Sequence, residues 1–176
     1  MYRFALLAAL VGFAAADCGF PNGTDTTLNW WQGATTGKVT FTKATPVEPS
    51  GQPEYPIRLK EALRVQCTMD NEESEMVGPN LRMSVKIYQY GGWTGCSWTE
   101  VPTFGLLNDL DACTQGVPCP VKMGNQDLLV TLDFTKYSAI ISLLKNDAPY
   151  QLELTLTDKS NGKYVTLVAQ ARALTK

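Results

Sequence analysis

The chain has 176 residues, 15 Lys and Arg against 17 Asp and Glu, a net charge of −2 and no histidine. The missing histidine removes the usual base behind a serine or cysteine nucleophile and the usual nitrogen ligand of zinc, which argues against triad and zinc hydrolases. With no basic block, neither a nucleic acid nor an anionic membrane reached through a polybasic segment is an expected partner.

The chain opens Met1-Tyr2-Arg3, runs apolar from Phe4 to Phe13 and reaches Ala14-Ala15-Ala16 before Asp17. One basic residue, a short apolar run and a small-residue site predict a signal peptide over residues 1–16. A membrane anchor needs roughly 20 apolar residues, and this run is too short. Residues 17–176 then form a single domain with 14 basic and 17 acidic side chains, a net charge of −3. Asn22-Gly23-Thr24 is a glycosylation sequon in a turn-rich segment, which makes Asn22 the candidate glycan site.

Period-two patterning dominates the rest of the chain. Short strands are predicted at Lys38–Thr42, Ile57–Lys60 and Leu63–Met69, with turns at Pro49–Pro53 and Asp70–Glu73. Leu81, Met83, Val85 and Ile87 alternate with Arg82, Ser84, Lys86 and Tyr88, and Gln89 takes the next apolar-face position. Gly91-Gly92 opens a long connection carrying Trp93, Trp98, Phe104, Leu106 and Leu107. Cys113-Thr-Gln-Gly-Val-Pro-Cys119-Pro120 closes it, and in a secreted chain these two cysteines are expected to bond. A disulfide across so short a loop contributes about 2 kcal/mol on the chain-entropy estimate.

Leu128–Phe134 reads as a strand, and Tyr137–Lys145, apolar at Ile140, Ile141, Leu143 and Leu144, as a helical turn. Leu152, Leu154 and Leu156 alternate with polar residues, and Asp158–Gly162 joins this strand to a final one. There Val165, Leu167, Ala169, Ala171 and Ala173 share a face, and Val168 interrupts the polar one. About seven short antiparallel strands with frequent turns predict an all-β, immunoglobulin-like β-sandwich.

Little chemistry is available to such a chain. Asp109 and Asp111 are the one carboxylate pair placed for acid–base work, and nothing sets them across a scissile bond. A calcium loop through Asn108, Asp109 and Asp111 lacks the glycine turn and closing glutamate. Both carboxylates read as loop caps. The long aromatic connection is the more informative feature, because such loops are packed lids or binding surfaces.

Cys-x5-Cys-Pro, a following strand, a Tyr-containing helical turn, a Pro-Tyr-Gln-Leu strand entry, Tyr55-Pro56-Ile57 and the closing hairpin occur here in an order that resembles the MD-2-related lipid-recognition (ML) domain family. That family includes the ganglioside activator and the Niemann–Pick type C sterol carrier, and the likeness spans about Gly33 to Leu174. The resemblance implies an apolar cavity between two sheets that holds, presents or transfers a sterol, phospholipid or glycolipid without catalysis, cofactor or metal. Carried onto this chain, Val39, Phe41, Met83, Val85, Ile87, Leu152 and Leu154 line the cavity. Trp93, Trp98, Phe104, Leu107, Ile140 and Ile141 form its mouth, able to touch a membrane transiently.

Cys113 and Cys119 match the family's loop disulfide. Its tether from an N-terminal cysteine to the last strand has no counterpart, since Tyr164–Ala173 holds no cysteine. Cys18, Cys67 and Cys96 then allow three pairings, of which Cys67–Cys96 is the expectation. The implied location is secreted or extracellular, or endolysosomal, with a protein acceptor or receptor as a further partner. The alternative is an extracellular sandwich that binds a protein through the aromatic loop; a packed interior separates it from a carrier, which needs an apolar void.

Overall fold

The computed structural model describes residues 18–92 and 95–176, so the signal peptide expected over residues 1–16 and Trp93 lie outside the described residues. Ten strand segments form two packed sheets. They are β1 (Asn29–Thr35), β2 (Val39–Val47), β3 (Ile57–Arg58), β4 (Leu63–Asn71), β5 (Leu81–Tyr90), β6 (Trp98–Glu100), β7 (Leu110–Asp111), β8 (Gly124–Leu132), β9 (Ala148–Asp158) and β10 (Lys163–Leu174). A helical turn, α1 (Ser138–Ile141), follows a 3-10 turn at Phe134–Tyr137.

The larger sheet runs β1-β10-β9-β5-β6, with β3 added beside β10 and β7 beside β5; the smaller runs β2-β4-β8. The molecule is a β-sandwich, and among the described residues only the β3–β10 pairing is parallel. All seven sequence-predicted strands are present. The additions are β1 and the two short pairings β6 and β7. Trp30 turns inward on β1 while Trp31 is exposed, and a bulge between Gln32 and Thr35 breaks the alternation that would mark a strand.

Inward faces follow parity. On β4 these are Leu63, Val65, Cys67 and Met69, on β5 Leu81 to Ile87, on β9 Leu152 to Leu156 and on β10 Val165 to Ala173. On β2 a bulge between Phe41 and Lys43 flips the parity, so Val39 and Phe41 point inward before it and Ala44 and Pro46 line the interior after it.

Two devices close the long sides of the sandwich. Between β1 and β2, the Gln32 side chain accepts from Phe41 N at 2.8 Å and donates to the Val39 carbonyl at 3.3 Å, pairing with the edge of β2 as a strand would. Between β5 and β8 lies the Cys113–Cys119 loop, whose Gly116 carbonyl accepts from Thr131 N at 2.9 Å. Glycine is required there: with φ +105°, a Cβ would sit 1.7 Å from the Thr131 oxygen.

The cysteine pairing corrects one expectation. Cys18 bonds Cys96, with Cα atoms 5.3 Å apart, and Cys67 is free. The reason is direction: β4 is the middle strand of its sheet and turns Cys67 into the interior at 2% exposure, whereas Cys96 lies in the exposed segment ahead of β6. Cys18 reaches that segment by packing its side chain against Gly91. The tether joins the N-terminal segment to the β5–β6 connection, so the last strand needs no cysteine.

Candidate functional site

The interior holds an apolar cavity of about 110 Å³ between the sheets. Every lining side chain is apolar except the Cys67 thiol and the Tyr150 phenol. The smaller sheet contributes Phe41, Ala44 and Pro46 from β2, Leu63 to Met69 from β4, and Leu128, Val130 and Leu132 from β8. Facing them are Ile87 of β5, Tyr150 to Leu156 of β9, and Leu167, Ala169, Ala171 and Ala173 of β10. Ile57, Leu59, Phe134, Ile141 and Leu144 cover the end that carries β3 and α1.

The void follows from side-chain size. β10's inward row falls from Val165 and Leu167 to three successive alanines, and Ala44 lies on the facing sheet. Where the row is large, Leu81, Met76 and Val121 fill the interior, and buried Asn71 seals that end by donating to the Ser74 and Lys122 carbonyls. Where it is alanine, the space stays open. An unfilled volume of this size forgoes roughly 2–3 kcal/mol of packing. It is comparable with an engineered cavity of about 150 Å³ that accepts benzene.

The slot is long and thin. From Leu63 to Met69, Tyr150 to Leu156 and Leu167 to Ala173 the lining spans six residue steps, about 20 Å along the strands. The two polar groups are both held neutral. Burial pushes the Cys67 thiol up to about 11. Burial likewise raises the Tyr150 phenol to about 12, and its hydroxyl donates to the Lys145 carbonyl at 2.7 Å. Gln89, the inward polar residue that ends β5's apolar run, lies 3.4 Å from the same hydroxyl.

Of the residues assigned to lipid from the sequence, Phe41, Ile87, Ile141, Leu152 and Leu154 meet in this cavity. Val39 is buried at the opposite end, near Met76 and Val165. Met83, Val85 and Leu107 are buried beside Leu110, Phe134 and Tyr137. Ile140 is 1% exposed, within the core beside Ile141. Phe104 stands 81% exposed at φ +52° in the turn before Leu107.

Trp98 is on the other side of the sheet. It pairs in register with Tyr90, ring centroids 5.1 Å apart, and Tyr90 lies on the face opposite Ile87 and Gln89. The sequence reading missed most of the small-sheet wall, and it placed the alanine row on one face of the last strand without assigning it to the cavity. The row was visible as three alternate alanines in an otherwise large-residue pattern.

The remaining candidates have local partners. Asp109 is bridged by Lys159 at 3.2 Å and Arg82 at 3.4 Å, and the Lys159 contact chiefly lowers its carboxyl below the usual range. Asp111 caps the turn into the cysteine loop, accepting from Cys113 N at 3.0 Å. Asn22 is exposed, and its Nδ2 donates to Gln170 at 2.9 Å, while the sequon's Thr24 is fully buried. Val117, inside the cysteine loop, lines the cavity at 2% exposure, so the loop forms part of the wall.

No family model matches the chain, and no curated protein matches it in sequence. Among solved structures, it is similar to that of a Niemann-Pick type C2 protein from Japanese carpenter ant, with 13% identity and a TM-score of 0.47 over 82% of this chain and 98% of that one.

Proposed function

We propose that this protein is an ML-like lipid carrier that takes a lipid's hydrocarbon chain between its sheets and presents or transfers it without catalysis. The observation that carries this reading is the unfilled apolar slot beside the alanine row of β10. A fully packed sandwich would have favoured the protein-binding alternative. The slot's length matches an extended chain better than a compact ring system. Each methylene moved from water into such a lining is worth about 0.8 kcal/mol, and no charged side chain lines the slot. Affinity then comes from the chain and selectivity from whatever the head group meets outside.

At about 110 Å³ the slot holds only part of a lipid, so loading separates the sheets. The α1 side of the end bearing β3 and α1 is the one to give, since Gln32 and the Gly116 loop tie the long sides and β3 is paired with β10. Two disulfides fit a secreted or endolysosomal protein. Among the described residues no helix is long and apolar enough to cross a membrane. Phe104 and Leu106, both exposed, supply a surface for brief contact with a bilayer.

Native mass spectrometry of the mature protein, with lipid extraction and displacement of a fluorescent fatty acid, tests the reading. Copurified single-chain or diacyl lipid and saturable displacement are expected. Absence of both, with no uptake of sterol, phospholipid or glycolipid probes, refutes it.

A further inference from the structure

The aromatic signal of the sequence is not used by the inner cavity. Trp98 and Tyr90 lie on the outer face of the larger sheet, and so do Tyr88 and Trp31. Parity fixes this. Ile87 and Gln89 point inward on β5, and Trp30 packs on the core, so their neighbours point out.

The same outer face carries an open trough of about 370 Å³. Its floor is Ser84 and Lys86 of β5, Glu153 and Thr155 of β9, and Thr166 and Val168 of β10. One wall is the β1 bulge, where Gly33 and Ala34 lean over Val168; a Cβ on Gly33 would lie 3.0 Å from the Val168 methyl. That cover explains a buried valine on a polar face. Asn108 forms the other wall.

The polar groups are pre-set. Asn22 donates to Gln170 at 2.9 Å, Gln170 to Gln151 at 2.7 Å and Gln151 to Glu153 at 2.9 Å, and the Tyr88 hydroxyl lies 3.4 Å from the other Glu153 oxygen. Thr155 and Thr166 hydroxyls bond each other at 2.9 Å. Glu153 keeps acceptor capacity beyond these two bonds, and Lys86 stands opposite it in register with three donors.

We infer that this trough is a second site, on the opposite side of the sheet from the lipid slot, for a neutral saccharide. A sugar ring needs many short-range donors and acceptors beside an aromatic plane for its apolar C–H face. Trp31, 42% exposed, is the in-register neighbour of Val168, and Tyr88 lies two residues along β5 from Lys86 on the same face. A protein interface core would be depleted in Lys, Glu and Ser, which make up half of this floor. Nucleic acids and other polyanions need a basic surface, and here the lysine faces a glutamate.

A microarray of neutral and acidic glycans, followed by calorimetric titration with maltotriose, cellotriose, chitotriose and mannotriose, tests the assignment. At least one neutral glycan should bind saturably and independently of salt up to about 0.5 M, where polyanion binding is screened out. Trp31→Ala and Glu153→Gln should each weaken it tenfold or more, with displacement of a fluorescent fatty acid from the inner slot unchanged. Binding to no glycan, binding only to sulfated or sialylated glycans with steep salt dependence, or affinity unchanged from the native protein in both variants overturns it. Lipid uptake failing while glycan binding persists would count against the carrier reading alone.

Discussion

Cys67 joins the chemistry of a single side chain to the cavity. Its thiol is nearly fully buried and is held protonated to about pH 11 by desolvation, and Tyr150 to about pH 12 for the same reason. Both groups have folded values above their unfolded ones, so stability is fully present below about pH 9 and falls as the unfolded chain ionises first. Chemical denaturation from pH 8 to 11 should lose on the order of 2 kcal/mol through the thiol. Cys67→Ala should remove the part of the loss that begins near pH 9 and leave the tyrosine part. A loss unchanged in the variant would show that Cys67 is not desolvated as described. The thiol also reports occupancy: a water-soluble alkylating reagent should react slowly with the folded protein, and slower still when a lipid fills the slot.

At the scale of elements, the alanine row of β10 and the disulfide at the N-terminus each make a quantitative claim. Ala171→Leu places three more carbons in the void. Because they fill space rather than displace neighbours, thermal stability should move by about 1 kcal/mol or less, while displacement of the fatty acid probe should fall at least tenfold. Leu154→Ala, enlarging the same space, should cost about 2–5 kcal/mol. If Ala171→Leu left uptake intact, the slot would not be the lipid site. The two disulfides should differ in a like-for-like test. Cys18–Cys96 spans 78 residues and Cys113–Cys119 spans 6, giving about 4.5 and about 2 kcal/mol on the chain-entropy estimate. Cys96→Ser should therefore lower the denaturation midpoint more than Cys119→Ser. What the sequence disclosed about these elements divides along physical lines. Strands with sustained alternation, β5, β9 and β10, were legible with their faces, and three of the five cavity residues, Ile87, Leu152 and Leu154, came with them. Bulges hid β1 and the far half of β2, because one extra residue inverts parity without changing composition. Trp98 does not reach the mouth, because composition marks an aromatic loop and is silent on which side of a sheet that loop returns. The Cys18–Cys96 bond depends on a chain reversal that no local pattern encodes.

The whole molecule has one soft direction. Gln32 ties β1 to β2, and the Gly116 loop ties β8 to the neighbourhood of β5, so the sheets are stitched along both long sides. At the end covered by β3 and α1, β3 is itself held by backbone pairing, with Leu59 N donating to the Leu174 carbonyl and Glu54 N to the Pro46 carbonyl, each at 2.9 Å, whereas α1 closes over the slot through the side chains of Ile141 and Leu144. Apolar contacts reform at low cost around an apolar guest, whereas stitched edges do not, so on the proposed carrier reading the opening belongs at α1. On the proposed carrier reading, the exchange is between about 110 Å³ of void and a lipid chain that fills and widens it. A ligand present at 100 times its dissociation constant stabilises the folded state by about 2.7 kcal/mol, which for a chain of this length raises Tm by roughly 5–10 °C. Oleate or a lysophospholipid below its critical micelle concentration should produce that rise, and glycerophosphocholine, the head group without a chain, should produce none. In Ala171→Leu the rise should vanish for every lipid. Hydrogen exchange on the loaded protein should then slow for amides of β9 and β10 and stay unchanged at the Asn71-sealed end. A Tm shift that persists in Ala171→Leu, or protection centred on the sealed end, would place the lipid elsewhere and remove the slot's claim to function.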